Sequence, residues 1–460
     1  MTTDAVVTTP MPELREYQKF GSNWLFQKLR ANLYDQQGLG KTPQALDAIS
    51  KLGAFRVLVH CPKRAIGVWR YEAKIWAPNY RVVEYTGNPL TRNLVWEVLK
   101  SSEPIIVISN WAFSEELRLR LDEIQAKWNV LVGDEIHSAG LLNRNSNTFK
   151  TMEKTNADAM FLLTGSPTPH GCVDYWPTLH LLEKSRFRSF WKFVNEYAII
   201  ERTPFGTNIR RVPREPQRFR DEIVTPYSLR RFKSDVLTEL PKKQKQVIKL
   251  EMTPKQAKAY REIAKDMLTR ADNGEFVLTP NILTRNQRLR QVLVCPRLIG
   301  IEDDGAAIDA LLSSVYEESS PFAVFTPFRG AAEIIAERLH KIIGSENVYL
   351  VTGGMSEDEL DFQVRGFQSS ESNTKAIVAT IASATSWTAH AASYGYFVGF
   401  EWSPDANEQA EDRLHRFGQL NPCNYQYFAH TDTIEDRVQE VVDGKFDAHN
   451  VIFDRKDLLP

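Results

Sequence analysis

Short apolar runs alternate with helical patterns along most of this chain, as expected for parallel β-sheets covered by helices. Four runs in the first half predict strands of one sheet, and four in the second half predict strands of another. The runs are residues 57–59, 105–108, 130–132 and 161–163, then 323–325, 348–350, 376–378 and 396–400. The pattern therefore predicts an α/β protein with two lobes of similar architecture, although no sequence repeat relates them.

The same pattern predicts where the lobes begin and end. Residues 1–12 are polar and lack the basic start and apolar core of a secretory signal, so a short flexible leader is expected. The first lobe is predicted at 13–225, with a helical excursion from about 176, and the second at 301–460. A helical, brace-like linker is expected at 226–300. The basic region 176–298 reads as helical, apart from an excursion with proline, arginine and glycine at 204–216.

Charge and cysteine content narrow the class only slightly. The 460 residues include 57 basic and 58 acidic ones, so the net charge of −1 argues neither for nor against a nucleic-acid partner. A DNA-binding surface would have to come from local basic clusters, each of which could equally be a solvated face. The clusters lie at 63–64, 210–220, 230–233, 242–245 and 285–290. Four scattered cysteines lack zinc-site spacing and no apolar run reaches transmembrane length, so neither zinc nor a membrane is expected.

The stretch Asp-Gln-Gln-Gly-Leu-Gly-Lys-Thr at residues 35–42 has the composition of a phosphate-binding loop. Its glycines let backbone N–H groups close around a polyphosphate, its lysine neutralises charge, and its threonine hydroxyl can hold Mg²⁺. The candidate residues are Gly38, Gly40, Lys41 and Thr42. Residues 43–49 predict a helix whose N-terminus would add partial positive charge. Because the first glycine of the simplest motif would fall at Asp35, a glycine-rich turn before a helix remains the alternative.

An acidic pair, Asp134 and Glu135, follows the apolar run at 128–133, at the tip of a predicted buried strand. Such a pair suits Mg²⁺ and ATP, because one carboxylate can hold the ion while the other orients or deprotonates the attacking water. A solvated loop is the alternative when the pair is taken alone. The presence of Lys41 in the same chain favours the chemical interpretation.

Two arginines, Arg413 and Arg416, stand three residues apart and are predicted to share one helical face. Arginine can bridge several phosphate oxygens as charge shifts during phosphoryl transfer. If both act on the phosphate bound by Lys41, a second domain must close on the first. An amphipathic surface helix with ion pairs, such as Glu411 with these arginines, is the alternative.

Taken together, the motifs resemble those of the Swi/Snf-like ATPases of helicase superfamily two, over nearly the whole chain. The matching segments are residues 14–18, 35–42, 58–63, 108–111, 134–137, 163–168, 229–237 with 240–243, and 409–419. The segment at 229–243 is the most specific, since most other superfamily-two helicases lack it. This family generally carries an acidic residue where Asp35 stands. Departures are Gln36, where glutamate is usual, and residues 380–388, where a glycine-rich loop and Leu-Asn-Leu are usual.

The resemblance implies two RecA-like lobes, each a mostly parallel sheet flanked by helices, with helical elaborations between them. It implies a DNA-stimulated ATPase that uses ATP and Mg²⁺ and translocates along double-stranded DNA, remodelling DNA or protein–DNA complexes. Nucleotide would be held by Gln18, Gly38, Gly40, Lys41, Thr42 and Gln409, and Mg²⁺ by Thr42 and Asp134. Catalysis would use Lys41, Asp134, Glu135, Arg413 and Arg416, and coupling would use His137, Thr164 and Ser166. DNA contacts would come from Lys63, Asn110, Trp111, Thr326, Thr352 and Gly353.

Three alternatives stay open. A superfamily-two RNA helicase shares the ATP site, although the segment at 230–243 argues against it, and a strand-annealing or fork-remodelling motor shares the same core. A non-catalytic nucleic-acid scaffold is a different class, which the intact catalytic set disfavours. The chain resembles a bare motor, so a soluble intracellular protein is expected, cytoplasmic rather than nuclear, with duplex DNA and DNA-bound proteins as candidate partners.

Overall fold

A computed structural model of the chain describes residues 13–100, 103–123, 127–203, 206–237, 239–271, 280–316, 320–369, 372, 374–384, 387–416 and 418–436. The predicted leader at 1–12 lies outside these residues, as does the end of the chain from 437. The described residues form two compact units, a first unit up to residue 237 and a second unit from residue 239. In neither unit is any described helix both long and apolar enough to cross a membrane.

The first unit is built on a seven-stranded sheet with every neighbouring pair parallel, in the order β3-β4-β2-β5-β6-β1-β9. Its strands are β1 Arg30–Leu33, β2 Arg56–Cys61, β3 Arg81–Tyr85, β4 Ile105–Asn110, β5 Trp128–Asp134, β6 Ala157–Leu163 and β9 Ser228–Leu229, with an antiparallel hairpin of β7 Ala198–Thr203 and β8 Gly206–Pro213. Its helices are α1 Glu16–Lys28, α2 Lys41–Leu52, α3 Ile66–Trp76, α4 Pro89–Leu99, α5 Ser114–Glu123, α6 Asn147–Lys154, α7 Tyr175–Leu182, α8 Phe190–Tyr197, α9 Pro216–Phe219, α10 Thr225–Tyr227 and α11 Lys233–Val236.

The second unit is built on a six-stranded, fully parallel sheet in the order β10-β15-β14-β11-β13-β12. Its strands are β10 Lys243–Leu250, β11 Phe322–Thr326, β12 Val348–Val351, β13 Ala376–Thr380, β14 Tyr394–Val398 and β15 Cys423–His430. Its helices are α12 Pro254–Ala271, α13 Pro280–Val294, α14 Ala306–Val315, α15 Arg329–Ile343, α16 Glu357–Ser369 and α17 Pro404–Glu411.

In both units the central strands are apolar on both faces because both faces of the sheet are covered. Two apolar clusters flank the first sheet and two flank the second. All five residues of β11 and of β13 are buried, which explains why they read as unbroken apolar runs rather than alternating ones. The eight predicted strands are confirmed as β2, β4, β5, β6 and β11 to β14, and with them the two-lobed α/β fold.

The sequence pattern was less complete in the region 176–298. Helices α7, α8, α12 and α13 fulfil the helical prediction there, but the region also contains the hairpin of β7 with β8 and the strands β9 and β10. Residues 243–250 of β10 are mostly exposed and polar, so they present no apolar run that could have signalled a strand. The strand is specified by its pairing with β15 instead.

Candidate functional site

The phosphate-binding loop follows β1 and runs directly into α2, at the carboxyl edge of the first sheet. Gly38 and Gly40 have φ angles of 81° and 69°, in the left-handed region that favours glycine. Gly40 is the residue that precedes α2, and no side chain caps the start of that helix. The predicted helix behind the loop is therefore confirmed, and a phosphate bound at its uncapped start would be stabilised by the first N–H groups of the helix.

The lysine side chain of the loop bonds to the backbone of the same loop. Lys41 is almost fully buried, and its Nζ donates to the main-chain oxygen of Asp35 at 2.9 Å. An added Cβ at Gly165 would lie 3.7 Å from Lys41 Nζ and 2.8 Å from Gln37 Cγ, so a glycine is needed there to leave room for the loop. Thr42, the predicted Mg²⁺ ligand, is the second residue of α2 and is half-buried.

The predicted adenine-reading glutamine lies against the same loop. Gln18 is held by its oxygen, which accepts from Arg15 N at 2.9 Å, and its Nε2 donates to the Leu39 carbonyl at 3.3 Å. A Cβ at Gly40 would come within 2.3 Å of that Nε2. The glycine thus serves both the backbone conformation of the loop and the close approach of Gln18.

These contacts predict different outcomes for alanine at the two ends of α2. Gly40→Ala and Gly53→Ala both place alanine at positive φ, but nothing lies within 4 Å of the added carbon at Gly53. We expect both to lower the melting temperature, each costing about 1 kcal/mol. Only Gly40→Ala should also weaken ATP binding, by roughly tenfold, as expected for loss of one buried hydrogen-bonding group. Calorimetry with ATP on both variants checks this, and equal affinities would contradict the placement of Gln18.

Asp134 is the last residue of β5, which pairs directly with β2, and Glu135 follows it. Asp134 is buried, with Oδ2 accepting from Trp69 Nε1 at 2.8 Å and Oδ1 accepting from Glu135 N at 3.0 Å. Burial, with the nearby charge of Glu135, raises the pKa of Asp134 to about 7. A cation bound to this carboxylate would offset the cost of keeping it ionised, so the site fits Mg²⁺.

Glu135 sits in an uncommon backbone conformation, with φ of 48° in the left-handed region. Its Oε1 accepts from Gln37 Nε2 of the phosphate loop at 3.1 Å. Its Oε2 is buried and accepts no hydrogen bond from the described residues, with the His137 ring nitrogen 3.4 Å away. A buried carboxylate oxygen left without a donor is a suitable acceptor for a water proton.

The expected coupling residues continue from the acidic pair toward the next strand. His137 Nδ1 lies 2.7 Å from Thr164 Oγ1, just past the end of β6. Ser166 N donates to that same hydroxyl oxygen at 3.0 Å. Gln37, Glu135, His137, Thr164 and Ser166 therefore form one continuous series of contacts, from the phosphate loop to the motif at 163–168.

The first-unit residues predicted to meet DNA have different environments. Lys63 is exposed, just after β2, and Asn110 ends β4 with its side-chain oxygen accepting from Ala112 N at 2.9 Å. Trp111 is only 8% exposed, and its Nε1 donates to the Asp134 carbonyl at 2.9 Å while its ring stacks on His60. The structure thus places the Trp111 side chain against the backbone of Asp134, which the sequence did not indicate.

The second-unit residues predicted to meet DNA follow the ends of two strands. Thr326 ends β11, is fully buried, and has a hydroxyl that bonds to no described residue. Thr352 follows β12 and is buried, and its N–H donates to Met355 Sδ at 3.3 Å. Gly353 is exposed. Since β11 and β12 both pair with β13 in parallel, these residues lie along one edge of the second sheet.

The two arginines do not lie on a helix, which corrects the sequence prediction. Helix α17 ends at Glu411, and residues 412–416 form the arginine turn. Arg413 donates to the carbonyls of Gln409 at 3.0 Å and Trp387 at 2.8 Å. Arg416 donates to the same Trp387 carbonyl at 3.1 Å and to Thr388 Oγ1 at 2.8 Å. The two guanidinium groups therefore converge on residues 387–388, within the segment that departs most from the family pattern.

Comparison with protein families identifies the family of this chain. Residues 17–298 match the SNF2-related domain, and residues 306–418 match the helicase conserved C-terminal domain. The first match alone spans more than half of the chain, so the chain belongs to the SNF2-related family of helicase-like ATPases. This assignment makes it an ATP hydrolase.

Individual relatives are distant. A probable chromatin-remodeling complex ATPase chain of Oryza sativa is 26% identical over 456 residues, covering 93% of this chain and 40% of that protein. The CHD3-type chromatin-remodeling factor CHR7 of Arabidopsis thaliana is 24% identical, covering 97% of this chain and 38% of that protein. The SWI2/SNF2 ATPase core of Sulfolobus solfataricus in complex with dsDNA aligns with a TM-score of 0.45 at 22% identity, covering 96% of this chain and 95% of that one. The chain thus spans about two fifths of the length of these two curated relatives. Both are named as chromatin-remodeling proteins, and these names do not support the expected preference for a cytoplasmic over a nuclear location.

Proposed function

We propose that this chain couples ATP hydrolysis to movement along double-stranded DNA, and thereby remodels DNA or DNA-bound protein complexes. The observation that supports this most directly is the series of contacts from Gln37 through Glu135 and His137 to Thr164. It joins the proposed water-activating carboxylate to the motif that, by family resemblance, couples the ATP site to the track. For a change at the nucleotide to reach the coupling motif through this network, the contacting residues must switch between two arrangements.

The proposed division of labour follows the two units. In the first unit, Lys41 and the loop N–H groups would bind phosphate, Thr42 and Asp134 would hold Mg²⁺, and Gln18 would read adenine. Mg²⁺ neutralises phosphate charge when bound in this class of site. Glu135 would orient the attacking water and accept its proton through the unbonded Oε2.

The second unit would supply the other half of the reaction. Arg413 and Arg416 would stabilise the charge that develops on the transferred phosphate, and Gln409 would support them through the carbonyl that holds Arg413. Lys63, Asn110 and Gly353 would hold the DNA backbone, while Thr326 and Thr352, whose side chains are buried, would support the strand ends next to it. For Trp111 we propose a supporting role under Asp134, since its side chain is buried there.

The decisive test compares ATP turnover without nucleic acid and with single-stranded DNA, duplex DNA or RNA. We expect stimulation by duplex DNA, displacement of a third strand from a triplex, and no separation of an ordinary duplex. Affinity should fall steeply with salt and show little sequence preference, because the contacts are to phosphates. Lys63→Ala should weaken duplex binding and leave turnover without DNA unchanged, with Lys51→Ala on the surface of α2 as the matched control.

Three outcomes would overturn the proposal. Efficient unwinding of a forked duplex, or stimulation by RNA alone, would favour a strand-separating helicase. Absence of ATP turnover under every condition would favour the non-catalytic scaffold.

A further inference from the structure

The chain segment that leaves the first sheet is tied to the phosphate-binding loop. Just after β9, Arg231 meets the carboxylate of Asp35: its Nε donates to Oδ1 at 3.0 Å, its backbone N–H donates to the same oxygen at 3.1 Å, and its Nη2 pairs with Oδ2. Nη2 also donates to Gln44 Oε1 at 2.7 Å. Gln44 in turn donates to the carbonyls of Leu39 and Gly40, each at 3.1 Å.

Backbone contacts reinforce this tie. Gln36 N donates to the Arg231 carbonyl at 3.0 Å, and Lys233 N donates to Gln36 Oε1 at 2.8 Å. Arg230 donates to the carbonyl of Gly165, in the coupling motif, at 3.2 Å. Asp35 is fully buried, so the residue at the position of the missing glycine serves as an anchor for Arg231 and does not face a phosphate.

The same segment, a few residues further on, is tied to the arginine turn of the second unit. His415 Nε2 lies 2.9 Å from the Pro241 carbonyl. At the start of β10, Lys243 pairs with the carboxylate of Glu411, and Lys245 Nζ lies 2.8 Å from its Oε1. Lys243 Nζ is also 3.5 Å from Asp412 Oδ1, within the turn itself.

Glu411 is the last residue of α17 and immediately precedes the arginine turn. Its side chain is fully buried, and its carbonyl accepts from Tyr425 OH at 2.6 Å. Burial by itself would lower the pKa of Lys243, but the carboxylates of Glu411 and Asp412 outweigh it and raise that pKa. The amine therefore stays charged at physiological pH, and the ion pair holds the last residue of α17 to β10.

We propose that residues 229–237 and 239–245 act as a strap with two positioning residues: Arg231 sets the phosphate-binding loop, and Lys243 sets the arginine turn. This inference rests on the proposed function, because it assigns the two ends to nucleotide binding and to transition-state stabilisation. Only seven residues, 234–240, lie between Lys233, which bonds to the phosphate-binding loop, and Pro241, which contacts the arginine turn. One short piece of chain thus positions two groups that must act in the same reaction.

The strap predicts that its two ends control different kinetic constants. Loss of the Arg231 tie should loosen the loop that binds phosphate in the ground state, and so raise the ATP dissociation constant. Loss of the Lys243 tie should loosen groups that act only in the transition state, and so lower kcat at unchanged affinity. A purely structural role would change both constants together with stability.

Paired substitutions test this by removing both charges of each ion pair. Asp35→Asn with Arg231→Met, and Glu411→Gln with Lys243→Met, replace each charged pair with neutral side chains, so folding should be retained. We expect the first pair to weaken ATP binding about tenfold and the second to lower kcat about tenfold, each leaving the other constant within about twofold. Hydrogen exchange without nucleotide should accelerate at residues 35–42 in the first pair and at 411–416 in the second.

Exposed ion pairs in the same units serve as matched controls. Arg70→Met with Glu84→Gln removes a pair of 2.7 Å in the first unit, and Lys249→Met with Asp436→Asn removes a pair of 2.8 Å on β10. Both controls should behave as wild type. Equal effects of the two strap variants on both constants, or exchange that rises uniformly over a unit, would overturn the strap. A wild-type protein without ATP turnover would overturn the proposed function instead, while the exchange measurement would still decide on the strap.

Discussion

Glu135→Gln is expected to lower ATP turnover by about 10²- to 10⁴-fold, the range that a positioned general base contributes. The amide keeps the shape of the side chain, and its oxygen can still accept from Gln37 Nε2, which lies 3.1 Å from Oε1. It loses the proton-accepting oxygen, however, which in the structure is buried and accepts no hydrogen bond from the described residues. Nucleotide affinity should change little, because Lys41 and the loop N–H groups are untouched.

Turnover and binding must be measured on the same preparation to read this result. Single-turnover hydrolysis reports the chemical step, and equilibrium titration with ATP reports affinity. Glu103→Gln, an exposed carboxylate of the same unit, is the matched control and should behave as wild type. Wild-type turnover in Glu135→Gln would remove this residue from the reaction, and a large loss of affinity would make it a binding residue instead.

Arg416→Ala is expected to lower turnover by ~10³- to 10⁵-fold, as for arginines that a second domain supplies to a transferred phosphate. ATP affinity should stay near wild type, because the substituted residue belongs to the second unit while the phosphate loop belongs to the first. Arg416 donates to Trp387 O and Thr388 Oγ1, so its guanidinium is already held in place before any reaction. Little free energy is then lost to ordering the Arg416 side chain when the transition state forms.

Arg413→Ala should reduce turnover similarly, but with an additional loss of stability. Arg413 is only 6% exposed and donates to the carbonyls of Gln409 and Trp387, so its removal takes one donor from each, although Arg416 still donates to Trp387. Thermal unfolding separates the two effects, since Arg416→Ala should leave the melting temperature closer to wild type. Arg365→Ala, in an exposed pair with Asp361, is the control for the same unit. Normal hydrolysis by both Arg413→Ala and Arg416→Ala would make the arginine turn a structural element only.

The sequence by itself determined the strands that form the centres of both sheets and the position of the phosphate loop. Strands β2, β4, β5 and β6 were predictable because a parallel sheet covered on both faces needs unbroken apolar runs. The loop and the helix behind it were predictable because phosphate binding demands glycine, lysine and a helix start in a fixed local order. Such features depend on neighbours in the chain.

Only the tertiary structure decided the roles of residues whose partners are distant in the sequence. The sequence indicated that an acidic residue is usual at Asp35, but only the structure shows its buried pairing with Arg231, 196 residues away. The family resemblance implied a DNA contact for Trp111, but in the structure its side chain is buried and donates to the Asp134 carbonyl. The pattern at 409–419 predicted a helix through Arg416, yet the helix stops at Glu411, where Lys243 and Tyr425 hold its last residue. Local periodicity reports which face of an element is buried, whereas these contacts depend on the order of strands in the sheets, which no short stretch of sequence contains.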